Sequence, residues 1–347
     1  LMFRLGLLLF REQQWLAVAA ALLFVLSPRM ASAAVSGLPT MLMIALLLAS
    51  ATTYFARRPL LFFLFAGLAL WVRPDAIVFL LAAVVHLVYS HAGVAPDLRK
   101  QQATGRPVTA GETRAGALIY VALLAGYAAF NLMLGDGVLP NSVAATMAYY
   151  SRMVTDYTGE LTTFFSWSWT GLLLFFAIFA LLPLFTALIR RRPAPMLMAA
   201  AYVLGSILLF AIFHPVIRDY YVLLPTLPFF MLLAVWGTVR LFGLIADMLP
   251  VFRFPMLLIM FGLFLASTGF ALSDWNAFRD AHYDTVRYVI DRHVNMGLWA
   301  SFNTPADARI ATNVPGTISY YGMRPVLDMK GGVSAEVLPV IGDLPAL

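Results

Sequence analysis

The sequence predicts an all-α polytopic membrane bundle of about eight to nine apolar segments, some of them short, followed by a smaller water-facing α/β domain. Three observations predict it. Hydrophobic residues fill 62% of the 347 positions and charged residues only 12%, against roughly a quarter charged in an ordinary soluble domain, so a water-facing surface cannot be clothed. Mean hydropathy is +0.85, with 27 Phe and 7 Trp, so the outside of the fold is apolar as well, as lipid requires of its solute. The charged residues gather in short loops between apolar runs and in the segment after Leu272.

Apolar runs that cross or nearly cross ~30 Å of hydrocarbon fall at residues 15–26, 39–56, 60–72, 76–89, 115–134, 171–189, 196–213, 221–242 and 255–272. The runs on either side of Arg73, Pro74 and Asp75 are brief, which predicts a re-entrant or interrupted region there. Residues 1–272 form the membrane domain in this reading and 273–347 an extracytoplasmic domain. In the latter, Ser273 and Asp274 are expected to cap a helix carrying Trp275, Phe278, Val286, Val289 and Ile290 on one face. Strand-like pieces follow at 309–314 and 325–327, separated by a Pro315-Gly316 turn. Leu1 to Phe10 reads as the tail of a hydrophobic helix already under way, which predicts a missing N-terminus, and Asp343 to Leu347 stop without a recognisable end, which predicts a truncated C-terminal domain.

Loop charge predicts orientation, because Lys and Arg near helix ends are retained on the cytoplasmic side. Arg57 and Arg58, then Arg99, Lys100, Arg106 and Arg114, then Arg190 to Arg192, then Arg240 and Arg253, fall on alternate loops and mark the inside. The opposite loops hold only Arg29, Arg73, Arg152 and Arg218, together with the polar motifs. The net charge of +6 therefore reads as topology and not as a nucleic-acid surface. The absence of cysteine excludes disulfides, thiolate metal sites and cysteine nucleophiles. Five histidines without ligand spacing give no metal centre, and no dinucleotide or phosphate-loop motif is present.

Three polar constellations remain. Around Arg73, Pro74 and Asp75, ionisable groups close to hydrocarbon are expensive unless they pair or bind something charged, although Asp at a helix start is also favoured by the dipole alone. Leu139-Pro140-Asn141-Ser142, with Tyr149, Tyr150 and Arg152 beyond it, opens a polar stretch long enough to cover a site. Asn141 can equally cap the following helix, and the tyrosines can belong to an interfacial belt. His214-Pro215-Val216-Ile217-Arg218-Asp219-Tyr220-Tyr221 sets a planar guanidinium, suited to phosphate, beside two hydroxyl donors. An Arg218–Asp219 pair satisfying itself is the plainer alternative.

Residues 27–75, with Ser36-Gly37 and Thr40 before one helix and Arg73-Pro74-Asp75 after the next but one, resemble a stretch of the bacterial GT-C fold membrane glycosyltransferases. Leu139-Pro140-Asn141-Ser142, Arg218-Asp219-Tyr220-Tyr221 and the segment 310–332 resemble further elements of that family in the same order. The nearest resemblance is to the mycobacterial terminal arabinofuranosyltransferases, and a more distant one to protein mannosyltransferases. It implies a multi-pass enzyme of the bacterial inner (plasma) membrane with its C-terminal domain extracytoplasmic. Such an enzyme moves a sugar from a polyprenyl-phosphate-linked donor to a cell-envelope glycan, lipid or protein acceptor at the outer face. Arg218, Tyr220 and Tyr221 would hold the donor phosphate, with Arg73, Asp75, Asn141, Tyr149, Arg152, His214 and Asp219 around the pocket. The family's catalytic acidic residue would lie upstream of Leu1, which leaves this stretch by itself inactive. A divalent cation is used by some members and not by others. A lipid-linked-saccharide transporter or flippase is the second class of function, and a membrane scaffold the third.

Overall fold

In a computed structural model of the chain, the described residues are 1–11, 13–93, 107–135, 137–150, 168–192, 194–212, 223–249, 251 and 253–340. Helices dominate them: α1 (Met2–Leu9), α2 (Gln14–Leu26), α3 (Pro28–Val35), α4 (Thr40–Phe55), α5 (Pro59–Val72), α6 (Ile77–Val88), α7 (Ala110–Leu134), α8 (Asn141–Tyr150), α9 (Ser168–Ile189), α10 (Leu197–Ile212), α11 (Leu227–Met248), α12 (Arg253–Tyr288) and α13 (Asn295–Asn303). Each of the nine apolar runs falls within or largely within a helix. The chain divides into two units, the first holding α1 to α6, the N-terminal part of α7, α9 to α11 and α12 as far as Trp275; the second takes the remainder.

Length decides which helices can span alone. Residues Leu224–Met248, a 3-10 turn running into α11, count 25, about 37 Å at 1.5 Å per residue, which exceeds a ~30 Å hydrocarbon core. Pro74–His91 and Ala110–Leu134 also pass by length and hydropathy, and α2 with α3 makes a fourth span if the bent pair counts as one. The bend of 53° has a local cause: Ser27 is extended, its Oγ accepts from Met30 N–H at 3.4 Å, and Pro28 opens α3 at a position where its missing N–H costs nothing. At 16 and 14 residues, α4 and α5 reach only about 24 and 21 Å. Among the described residues three helices, or four with the bent pair, are long and apolar enough to cross alone, and the shorter apolar helices α4, α5 and α10 stand beside them.

The core of the first unit is the N-terminal half of α11, where every residue from Leu227 to Val235 is buried. A helix buried on all faces is central, and α11 packs against α2, α9 and α10. Polar groups inside the bundle are satisfied across helices: Ser50 Oγ of α4 donates to the Phe62 carbonyl of α5 at 3.1 Å, a bond whose alternative in lipid is an unpaired hydroxyl. Small residues set the close approaches. A Cβ on Gly6 would stand 2.8 Å from the backbone of Ala17, which fixes α1 against α2. Outward residues of α7 and α10 are apolar and bare, Leu118, Val121, Leu204 and Leu208 among them, as lipid-facing surface requires.

The expected break at Ser273-Asp274 does not occur. α12 runs unbroken for 36 residues, and Ser273 Oγ donates back to the Phe270 carbonyl instead of capping a new helix. No Pro or Gly lies between Ala271 and Tyr288 to stop it. The Pro315-Gly316 turn is likewise corrected: Pro315 starts a helix, α14 (Pro315–Gly322), which carries the chain between β1 (Ile310–Thr312) and β2 (Val326–Asp328). The strands pair in parallel, Ile310 opposite Val326, and a parallel pair needs such a crossover.

Within the second unit, Arg324 ties α13 to α14. Its guanidinium donates to the carbonyls of Ser301 at 2.7 Å and Thr304 at 2.8 Å, the free acceptors at the C-terminus of α13, where a cation also meets the negative dipole end. Arg324→Ala is expected to speed amide exchange across 295–304 by about tenfold, one charge-assisted hydrogen bond's worth. Arg309 and Glu336 form a further ion pair, both half exposed. A backbone hydrogen bond at Glu336 and the Arg309 guanidinium together hold that carboxyl below its ordinary value.

Candidate functional site

The Arg73-Pro74-Asp75 element is a helix break. α5 stops because Arg73 is extended (φ −154°, ψ 130°), as the residue before a proline is pushed to be. Pro74–Ala76 form one 3-10 turn before α6 begins. The turn brings the two charges together: Arg73 Nε donates to Asp75 Oδ1 at 3.0 Å and a terminal nitrogen to Oδ2 at 2.9 Å. The fork is thus filled by its own neighbour, and the side chains remain 18% and 24% accessible. Of the two ways such charges are satisfied near hydrocarbon, pairing and binding a charged group, pairing describes this geometry.

Beneath the pair lies Tyr202 of α10, fully buried, hydrogen-bonded to Ser206 one turn on and within electrostatic range of both Asp75 and Arg73. Its ring closes a three-ring cluster with Phe79 of α6 and Phe229 of α11, with centroids 5.1 to 5.5 Å apart. The cluster packs α6, the helix that follows the break, against α10 and α11, since aromatic contacts in this range add to packing. Trp71 braces the other side, its indole N–H donating to the Leu123 carbonyl at 2.8 Å. Asp75→Ala leaves a guanidinium with no counter-charge in a mostly buried turn. It is expected to cost about 1–3 kcal/mol, the buried-pair value discounted for partial exposure. A smaller loss in Asp75→Asn, measured by thermal melting in detergent, checks that charge and not shape is responsible.

The remaining site residues are placed unevenly. Asn141 is the first residue of α8, in the second unit, and its side-chain amide lies against Gly135, where a Cβ would come within 2.6 Å. Tyr149 belongs to α8, but its side chain lies outside the described residues, as do Arg152, His214, Arg218, Asp219, Tyr220 and Tyr221 in full. The structure therefore joins Arg73 to Asp75, and the Arg218-Asp219-Tyr220-Tyr221 motif lies outside the described residues. Among the described residues no group of three His, Asp or Glu side chains is arranged to hold a metal ion.

Two polar features escaped the reading of the sequence. Tyr202 and Ser206 sit inside an apolar run, and only their i, i+4 spacing marks them as partners. Arg29, counted only as a loop charge, is 2% exposed at the start of α3 and faces Asp274 of α12. Burial pushes the Asp274 carboxyl above its ordinary value, and the Arg29 charge pulls it back. Trp275 anchors the same corner, its indole N–H donating to the Leu26 carbonyl at 3.0 Å.

Comparison with known proteins reaches the C-terminal part alone. Residues 279–344 match a family described as a domain of unknown function (DUF8728). No curated protein matches the chain. No solved structure matches it either.

Proposed function

We propose that the chain belongs to a membrane glycosyltransferase of the GT-C type, acting at the outer face on a polyprenyl-phosphate-linked sugar and a cell-envelope acceptor. The observation that carries this reading is the order of three polar elements in an otherwise apolar helical chain: Arg73-Pro74-Asp75, Leu139-Pro140-Asn141-Ser142 and Arg218-Asp219-Tyr220-Tyr221. The helix break that pairs Arg73 with Asp75 between two apolar helices supports it, because ionisable groups within apolar helical segments are a functional feature by default.

The chemistry assigns the parts. A glycosyl phosphate departs with negative charge on the phosphate, so cationic and hydrogen-bonding groups must meet that charge as it develops. Arg218 with Tyr220 and Tyr221 supplies them. A carboxylate must take the proton of the attacking hydroxyl. Asp75 is engaged by Arg73 and serves the pocket's shape in this reading, not that proton transfer.

The test is an assay of the complete gene product in proteoliposomes with a radiolabelled polyprenyl-phosphate pentose or hexose. Label recovered in a glycan product supports the transferase. Label moved across the bilayer with no product would assign the protein to the flippases instead.

A further inference from the structure

We propose a second binding site, for a phosphate-bearing lipid, at the arginine-rich end of the first unit. It stands on the geometry of that unit and is independent of the transferase reading. A cavity of about 1700 Å³ opens there, larger than an ordinary small-molecule pocket of ~300–1,000 Å³. Four arginines line it: Arg11 after α1, Arg57 and Arg58 between α4 and α5, and Arg240 within the second half of α11. Among the described residues Asp247 is the one carboxylate in the lining. Arg58 and Arg240 are exposed, so the cationic rim is reachable.

Below the rim the walls turn apolar, with Phe10, Phe55, Phe62, Phe63 and Trp236. Cations above and rings below match an anionic head group carrying hydrocarbon chains, whereas a free anion or an acidic protein surface would leave the aromatic walls unused. Arg240 is held in place by its guanidinium lying 5.5 Å from the Trp236 ring centroid. Two of these arginines, Arg57 and Arg58, occupy a loop that charge bias places on the cytoplasmic side.

Arg57 closes α4 in the left-handed conformation, φ +57°, where glycine is the ordinary residue, so Arg57→Gly removes the charge without straining the turn.

The test is native mass spectrometry of the purified chain in detergent, offered dioleoyl phosphatidate, dioleoyl phosphatidylcholine and inorganic phosphate. Phosphatidate is expected to be retained about tenfold over phosphatidylcholine, as charge-assisted contacts warrant, and not to be displaced by equimolar inorganic phosphate. Arg58→Gln with Arg240→Gln should bring the two lipids to parity. Arg57→Gly should reduce phosphatidate retention while the melting temperature holds or rises, a combination that a merely structural role for Arg57 would not give. Equal retention of both lipids by the unmodified chain overturns the proposal. So does displacement by equimolar phosphate, or capture of a polyglutamate peptide with no phosphatidate retained.

Discussion

On the proposed reading, Arg218→Ala in the complete gene product is expected to slow transfer from a polyprenyl-phosphate sugar by about 10²–10³-fold, with membrane insertion unchanged. The magnitude follows from what is removed: one preorganised cationic donor aimed at charge that appears only as the glycosyl–phosphate bond breaks. Because the phosphate is already anionic in the ground state, part of the loss should appear as a raised KM and the rest as a lowered kcat. Arg218→Lys keeps the charge but not the planar fork, so it should recover binding more fully than rate. Unchanged transfer in Arg218→Ala, at equal expression, removes the role assigned to this motif and with it the division of labour between the three polar elements.

Phe229→Ala is expected to have the largest effect on stability, about 3 kcal/mol. Phe→Ala in a water-soluble core costs about 3–5 kcal/mol, of which part is transfer of the ring out of water. In a bilayer that part falls away, because lipid tails are as apolar as the core, and what remains is the cavity and the lost ring contacts. The value therefore belongs at the low end. Phe229 is 1% exposed and touches both Phe79 and Tyr202, so the void would open directly under the Arg73–Asp75 turn. Melting in detergent should fall in Phe229→Ala and recover in large part in Phe229→Leu, which refills most of the volume. A melting temperature equal to that of the unmodified chain would contradict the packing described for α6, α10 and α11.

How much of this was legible in the sequence depends on the kind of signal. Helix positions were, because long apolar runs bounded by Arg, Pro and Gly leave few alternatives. The interruption at Arg73-Pro74-Asp75 was legible too, since a proline forces the preceding residue out of the helical region. Two punctuation marks misled. Pro315 fits the first turn of a helix as well as it fits a turn, and only the parallel pairing of Ile310 with Val326 shows which. Ser273 and Asp274 are good caps, yet they sit in mid-helix because nothing after them breaks the backbone pattern. Which runs form a helix long enough to cross alone was not legible, because hydropathy counts apolar residues and not the length of rigid helix they form; among the described residues three helices, or four with the bent pair, reach that length. Tyr202 and Arg29 were hidden for a different reason: their burial is set by α6, α11 and α12, elements remote in sequence, and no local pattern encodes a contact of that kind.

On the proposed reading the Leu139-Pro140-Asn141-Ser142 element faces out of the cell and the arginine-rich loops face in. The chain has no cysteine, so single-cysteine accessibility reads this directly. Val138, beside the Leu139-Pro140-Asn141-Ser142 element, is 56% exposed, and Arg190 is exposed at the end of α9. In intact cells a membrane-impermeant maleimide is expected to label Val138→Cys at once and Arg190→Cys only after permeabilisation. Labelling of Arg190→Cys from outside, with Val138→Cys protected, would contradict the orientation and the outer-face donor site together.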